Sequence, residues 1–197
     1  MRPDFSVIIP TRGRETLART LRSIRSQADR AAVEILVVED THSGVSPTAR
    51  QTAEAFDARF FTHDAGHHCW GHCQINAMLA QATGCYVAFQ DDDDIYTSGA
   101  FEALRVAATL CESPVPMMFQ FRAHWGEVFW SEPCAVVNRI GGHCIIAPNV
   151  PDKLGRWGCR YQGDFDFIDS TLQHYLPASV LWVPRIIAVA RPLEEPC

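Results

Sequence analysis

Four consecutive aspartates, Asp91 to Asp94, follow the short apolar run "CYVAF" after a single glutamine, Gln90. Negative charges this close together repel one another, so the cluster costs stability unless something positive neutralises it. The run alone allows two interpretations: a solvated acidic turn, or a divalent-cation site at the carboxyl end of a buried strand. The secondary structure predicted around the run distinguishes between these two interpretations.

Two further acidic segments carry candidate chemistry. Glu39 and Asp40 end the apolar run "VEILVVED", and the segment "GDFDF" contains Asp164 and Asp166. A carboxylate after a strand can meet a sugar or a base, and a pair of carboxylates can hold a hard cation through oxygen. Mg²⁺ or Mn²⁺ held in this way would stabilise a nucleoside diphosphate as it leaves. A third carboxylate across the pocket could take a proton from an acceptor hydroxyl.

The N-terminal segment predicts a strand, a helix and a second strand. "FSVIIP" is a β-branched run, and "VEILVVED" is typical of a strand that is buried on both faces. Between them, Leu17, Leu21 and Ile24 recur at helical spacing among arginines. This order is a βαβ unit, the building block of a parallel sheet.

The rest of the chain extends this alternation. Helices are predicted at "CQINAMLAQATG" and "SGAFEALRVAATL", and strands at "CYVAF" and "SPVPMMFQF". Shorter apolar runs such as "EVFW", "HCIIAP" and "VLWVP" indicate antiparallel additions. We therefore predict one α/β domain over residues 1–197. Ligands bind at the carboxyl ends of strands in open α/β sheets, which favours the cation-site interpretation of the aspartate run.

Composition excludes several other classes of protein. The chain has 197 residues, of which 47% are hydrophobic, so it can bury a sizeable core. A net charge of -6 argues against a broad nucleic-acid-binding surface. No apolar run approaches the roughly 20 residues that span a membrane, and the N-terminal apolar run is too short for a signal peptide. We predict a cytoplasmic protein whose eight scattered cysteines are free thiols rather than disulfides.

The order of four segments resembles a family 2 glycosyltransferase of the GT-A fold. They are "FSVIIPTRGRETLARTLRSI", "EILVVED", "INAMLAQATGCYVAFQDDDDIY" and "GDFDF", and the likeness extends from Phe5 to Ala190. The resemblance implies a Rossmann-like, mostly parallel sheet flanked by helices. It implies an inverting, metal-dependent enzyme that uses Mn²⁺ or Mg²⁺ to move a sugar from a nucleoside diphosphate sugar, commonly a UDP-sugar, to a hydroxyl. Residues 1–96 would bind the donor and residues 97–197 the acceptor.

The resemblance also implies roles for individual residues. The residues expected to border the donor nucleotide are Pro10, Thr11, Arg12, Arg14, Asp40, Asn76 and Asp92. Within this set Asp40 would meet the base and Asp92 the ribose or the metal. Asp93 is the expected direct metal ligand, with Asp91 at the other end of the DxD spacing. Asp164 matches the catalytic base, and Asp166 is the second candidate.

Two segments depart from the family pattern. "VVED" followed by "THSG" stands where a pair of aspartates followed by Gly-Ser is more usual, which leaves the identity of the base open. "GD" at Gly163 and Asp164 stands where many members have Glu-Asp.

Several residues allow both a functional and a structural interpretation. Asn76 could contact the donor or brace a loop, and His143 could line the acceptor pocket or simply end a strand. Trp125, Trp130 and Trp157 could stack on sugar faces, but core packing is expected for at least two of them. The segment "HDAGHHCWGHC" is dense in zinc ligands, but its spacing fits no standard zinc pattern, so we predict no stoichiometric zinc. Trp157 and His143 are the candidate acceptor residues.

Two other classes of function stay open. Nucleotidyl transfer also uses paired carboxylates and Mg²⁺, but "PTRGRET" only weakly matches the glycine-rich basic loop that it needs. A catalytically inactive nucleotide-sugar-binding module is disfavoured because "DDDD" and "GDFDF" are both intact.

Overall fold

The computed structural model of the chain describes residues 2–42, 44–64 and 69–192. The strands are β1 (Phe5–Thr11), β2 (Val33–Asp40), β3 (Arg59–His63), β4 (Tyr86–Phe89), β5 (Ile95–Tyr96), β6 (Met117–Arg122), β7 (Ile145–Pro148) and β8 (Leu181–Val189). The α-helices are α1 (Leu17–Arg25), α2 (Ala49–Ala55), α3 (His72–Leu79), α4 (Ala100–Ala108) and α5 (Gly163–Leu172). None of the described helices is long and apolar enough to cross a membrane.

The strands form one sheet in the order β3-β2-β1-β4-β7-β6-β8-β5. β3, β2, β1 and β4 run parallel, whereas β7 pairs antiparallel with both β4 and β6. The α/β architecture with antiparallel additions that the sequence predicts is therefore confirmed. The central strand β1 is buried along its whole length because parallel strands connected by helices are covered on both faces.

Each face of the sheet carries its own hydrophobic core. On one face, Leu17, Leu21 and Ile24 of α1 are buried, as the helical spacing in the sequence predicts. On the other face, Ile75 of α3 and Phe167 of α5 belong to the second cluster. This second cluster anchors the two helices whose first turns face the candidate site.

The register of the parallel strands determines which residues meet at one edge. Thr11 pairs with Glu39 at the ends of β1 and β2, and Ile8 pairs with Phe89 at the end of β4. The carboxyl ends of β1, β2 and β4 therefore lie side by side. The segments that follow them carry the acidic residues found in the sequence.

The prediction that all cysteines are free thiols is wrong for one pair. Cys69 and Cys159 form a disulfide across 90 residues of sequence. The loop before α3 and the loop before α5 meet in space, and no sequence spacing reveals that contact. Cys197 lies outside the described residues.

Candidate active site

A cavity of about 1400 Å³ opens at the carboxyl ends of β1, β2 and β4. Pockets for one small ligand usually measure roughly 300–1,000 Å³, so this cavity has room for two ligands at once. The three acidic segments found in the sequence line it with Asp40, Asp91 to Asp93, and Asp164, and Glu127 adds a further carboxylate. The sequence predicts that these segments come together, and the fold brings them to one cavity.

Thr11 and Arg14 connect the end of β1 to the aspartate run. The Thr11 hydroxyl donates to Asp92 Oδ2 at 2.7 Å, and Arg14 Nη1 donates to Asp92 Oδ1 at 2.8 Å and to Asp93 Oδ2 at 2.9 Å. Asp93 also meets Arg191 Nε at 3.3 Å. Two of the four aspartates are thus neutralised by arginines, which reduces the repulsion within the run.

The other two aspartates lie with His143. One ligand atom each from Asp91, Asp94 and His143 lies within 4.8 Å of the others, and His143 Nε2 is 2.7 Å from Asp94 Oδ2. Carboxylate oxygen together with imidazole nitrogen is a donor set that suits Mn²⁺, and the carboxylates also suit Mg²⁺. The sequence does not predict that His143 joins these aspartates. His143 lies in a short 3₁₀ helix, Gly142–Cys144, about fifty residues further along the chain.

The electrostatics of these three groups are strongly perturbed. Asp91 is open to the cavity yet surrounded by protein, and this desolvation, together with the neighbouring aspartates, raises its pKa to about 6. Burial alone would lower the pKa of His143, but Asp94 and Asp91 outweigh it and raise that pKa to about 9. These carboxylates therefore favour positive charge, which the His143 proton supplies and which a bound cation would supply in its place on releasing that proton.

Asp40 lies at the end of β2 and lines the cavity together with Pro10 and Arg12. Its Oδ1 accepts a hydrogen bond from the His42 backbone N–H at 3.0 Å, so Oδ2 can meet a ligand. Gly71, at φ +82°, packs on Pro10, where a β-carbon would come within 2.8 Å of the proline ring. Only glycine fits this turn, which forms the wall between β1 and α3.

Asp164 and Asp166 lie in the first turn of α5 but in different surroundings. Asp164 lines the cavity, and burial raises its pKa. Asp166 forms an ion pair with Arg160, which lowers the Asp166 pKa, and it does not line the cavity. The geometry supports Asp164 over Asp166 as the base candidate.

Gly163 explains why the chain has Gly-Asp rather than Glu-Asp before α5. A β-carbon at Gly163 would lie 2.1 Å from the Gly158 carbonyl oxygen and 2.3 Å from His72 Nδ1. His72 Nδ1 itself lies 2.7 Å from the Gly158 carbonyl oxygen. The space that a glutamate side chain would enter is therefore filled by His72.

Two of the residues proposed from the sequence have structural roles. Asn76 holds the Trp157 backbone with both ends of its amide: Nδ2 donates to the carbonyl at 2.8 Å, and Oδ1 accepts from the N–H at 3.0 Å. Asn76 does not line the cavity. Trp157 is buried, stacks on Phe167 and packs edge-on against Phe89, although one side of it reaches the cavity wall.

Two buried glutamines in the cavity wall are not evident from the sequence. Gln74 and Gln90 are 1% and 2% exposed. Gln74 Oε1 and both amide atoms of Gln90 have no hydrogen-bond partner among the described residues. Buried polar groups are almost always hydrogen-bonded, so these amides are available to water or to a polar ligand in the cavity.

The segment rich in histidine and cysteine borders the same cavity. Its His67 and His68 lie outside the described residues. Cys69 is bonded to Cys159, and the Cys73 sulfur lies within 4.8 Å of both. The absence of stoichiometric zinc stays a prediction.

Comparisons with known proteins agree with the geometry. A family model described as "Glycosyl transferase family 2" matches residues 6–112. The GalNAc(5)-diNAcBac-PP-undecaprenol beta-1,3-glucosyltransferase of Campylobacter jejuni is 34% identical over 104 residues. That match covers 52% of this chain and 33% of the relative, so the chain spans about a third of the length of this curated relative.

Solved structures extend the likeness to almost the whole chain. S. aureus TarS superposes with a TM-score of 0.72 at 16% identity, covering 96% of this chain and 37% of TarS. Glucosyl-3-phosphoglycerate synthase from Mycobacterium tuberculosis, in complex with Mn²⁺, UDP and glucosyl-3-phosphoglycerate, gives 0.70 at 15% identity, covering 97% of this chain and 72% of the synthase. At these identities the likeness shows a shared fold, and it confirms the GT-A-like fold expected from the sequence.

Proposed function

Because the chain belongs to glycosyl transferase family 2, we propose that it moves a sugar from a nucleoside diphosphate sugar to an acceptor hydroxyl. The observation that carries this proposal is the meeting of three acidic segments in one cavity large enough for two ligands. Nucleotidyl transfer gains no support because Arg14 and Arg191 are engaged by the aspartates of the run. An inactive binding module would have no use for the buried carboxylate of Asp164 beside the cavity.

We assign the donor to residues 1–96 and its nucleotide to the side of the cavity formed by β1 and β2. Asp40 is the group for the base, and Thr11, Arg12 and Asp92 border the ribose and phosphates. The mycobacterial synthase contains UDP, which supports a uridine donor for this chain. Gln74 and Gln90 offer unused amide atoms to the hydroxyls of the transferred sugar.

We assign the divalent cation to Asp91, Asp94 and His143 rather than to Asp91 and Asp93. Asp93 is occupied by two arginines, whereas the other three groups converge. A Mn²⁺ or Mg²⁺ ion at this position would neutralise the negative charge that develops on the departing diphosphate. Arg14 and Arg191, which both contact Asp93, would add to this neutralisation.

Asp164 then acts as the general base. Its raised pKa brings a carboxylate closer to the basicity that proton transfer needs. It would accept the acceptor's hydroxyl proton while that oxygen attacks the anomeric carbon on the face opposite the diphosphate. One displacement of this kind inverts the configuration of the sugar.

The test is a calorimetric titration of the wild-type protein and Asp40→Ala with UDP and with inorganic pyrophosphate, each with and without Mn²⁺. We expect UDP to bind in the presence of Mn²⁺. Asp40→Ala should weaken the affinity for UDP and leave the affinity for pyrophosphate nearly unchanged. Equal losses of affinity for UDP and pyrophosphate would show that Asp40 does not contact the base. If the wild-type protein binds neither UDP nor, in a parallel titration, GDP under any of these conditions, the proposed function is refuted.

A further inference from the structure

The rim of the cavity carries an unusual set of aromatic side chains. Trp70, Trp125 and Tyr161 are 55%, 59% and 69% exposed. Within the described part of the chain, every large aromatic side chain that is exposed lines this one cavity. Large aromatic side chains gain much from burial, so their concentration at one cavity points to a ligand that covers them.

These rings are held in two groups by contacts within the chain. Trp125 donates from Nε1 to Glu127 Oε2 at 3.0 Å and packs edge-on against Phe129, with ring centroids 6.1 Å apart. Trp70 and Tyr161 pack edge-on at 6.3 Å. Rings positioned before a ligand arrives lose little conformational entropy on binding.

The backbone at Trp70 adds a second observation. Its φ is +50°, in the left-handed region that residues other than glycine seldom adopt. Such strain is retained where the surrounding structure or function requires it. The Trp70 indole in this conformation is 55% exposed and lines the cavity.

The charges show which kind of ligand these rings can meet. The arginines that line the cavity are Arg12, Arg14 and Arg191, and all three stand at the aspartate run. Beside the aromatic rim lie the carboxylates of Glu127 and Asp164, and His124 and His72 pack near Trp125 and Trp70. The nearby arginines are paired with carboxylates: Arg139 with Glu127, and Arg160 with Asp166. These arginines are already engaged by carboxylates, so an anionic acceptor would gain little attraction at this end of the cavity.

We propose that the acceptor is a neutral carbohydrate whose pyranose ring stacks on Trp125 and on the Trp70 and Tyr161 pair. A sugar ring has apolar C–H faces that suit the negative face of an aromatic ring, and its edge carries hydroxyls that Glu127 can accept from. This inference rests on the proposed function and specifies its acceptor. It also assigns Trp125 the sugar-stacking role that the sequence leaves open, while Trp130 and Trp157 are core residues.

The test uses saturation-transfer difference NMR on the full chain with UDP and Mg²⁺. The probes are the methyl glycosides of glucose, galactose and N-acetylglucosamine, with glycerol phosphate as the anionic comparison. We expect saturation on the ring C–H protons of at least one neutral sugar and none on glycerol phosphate. Trp125→Ala and Tyr161→Ala should each reduce the affinity for that sugar by about tenfold, which corresponds to the loss of one aromatic contact.

Leu176→Ala is the matched control, because Leu176 is 76% exposed but does not line the cavity. It should leave the sugar's affinity unchanged. UDP affinity, measured in parallel, should be the same in all variants. If UDP binds but no neutral sugar is saturated, or if the aromatic variants bind sugar as well as the wild type, the carbohydrate acceptor is wrong and the proposed function stands. If the wild type does not bind UDP, both the carbohydrate acceptor and the proposed function are refuted.

Discussion

Asp164 and Asp166 show how two identical side chains in one helical turn acquire different chemistry. Asp164 is desolvated beside the cavity, whereas Asp166 is paired with Arg160 and faces away from it. Their difference comes from side-chain direction, since residues two apart on a helix do not share a face. At this scale the sequence provides the two carboxylates, and their surroundings in the fold determine which of them can act as a general base.

We expect Asp164→Asn to reduce turnover by roughly 10²–10⁴-fold, because it keeps the shape of the side chain and removes its basicity. Donor affinity should be nearly unchanged. In the wild type, turnover should fall as the pH drops through the raised pKa of Asp164, since only the ionised carboxylate accepts a proton. Transfer rates and UDP affinities for Asp164→Asn and Asp166→Asn check this. An inactive Asp166→Asn beside an active Asp164→Asn would reverse the assignment.

The cation assignment gives a second prediction at this scale. His143→Ala and Asp91→Asn should weaken the Mn²⁺-dependent part of UDP binding by more than about tenfold, since changes outside the ligand shell already cost roughly 10–100-fold. Asp93→Asn should cost less, because Asp93 is engaged by Arg14 and Arg191. Calorimetry over a series of Mn²⁺ concentrations separates the variants. A larger loss for Asp93→Asn than for His143→Ala would restore the ligand pair expected from the sequence.

At the scale of elements, apolar runs in the sequence predict the parallel strands well. β1, β2 and β4 are mostly apolar segments, and the helix α1 has a clear buried stripe. The second half is harder to predict, because its strands pair with partners distant in sequence. "EVFW" forms only an isolated bridge, from Val128 to Arg122, and "GDFDF" begins a helix.

The same reason limits prediction of the site. Asp40, Asp91 and Asp164 follow recognisable segments, so their meeting in one cavity could be expected from the sequence. The position of His143 and the unpartnered amide of Gln90 depend on contacts between distant segments. No local pattern encodes such contacts.

A buried carboxylate far from the cavity connects the other ends of the central strands. Glu34 of β2 accepts hydrogen bonds from the Ser6 and Thr83 hydroxyls and from the Thr83 and Gly84 N–H groups, and it pairs with Arg59. Burial alone would raise the pKa of Glu34, but these hydrogen bonds outweigh it and lower the pKa. Glu34 therefore stabilises the fold when it is ionised.

The expected pH dependence follows from this sign. Because the folded-state pKa lies below the unfolded value, the contribution of Glu34 is present above the unfolded pKa and is lost as the pH falls through the folded pKa. Glu34→Gln should lower the free energy of unfolding at about pH 7 and make little difference at about pH 3. Urea titrations at both pH values check this. Glu102→Gln, in an exposed ion pair with Arg105, is the control and should change little at either pH.

At the scale of the whole molecule, the disulfide joins segments from the two halves of the chain. The bond between Cys69 and Cys159 closes a loop of 90 residues, and both loops that it connects lead into helices that face the cavity. Such a crosslink restricts the unfolded chain and is typically worth about 2–4 kcal/mol.

We expect Cys159→Ser to lower the midpoint of denaturant unfolding, and a reducing agent to lower the midpoint of the wild type to a similar value. The reducing agent should have little further effect on the variant. Cys134→Ser, which removes an exposed free thiol, should behave like the wild type. A wild-type midpoint that does not respond to reduction would contradict a stabilising bridge.

The pairing of β7 with β4 has a consequence for how the chain is made. β4 needs β1 on one side and β7 on the other, yet β7 is synthesised more than fifty residues after β4. The segment that matches the family, residues 6–112, ends before β7 begins. Until β7 is made, a hydrophobic strand edge stays unprotected, and such edges template aggregation. A fragment ending at residue 112 should therefore scatter light and precipitate at concentrations where the full chain stays clear.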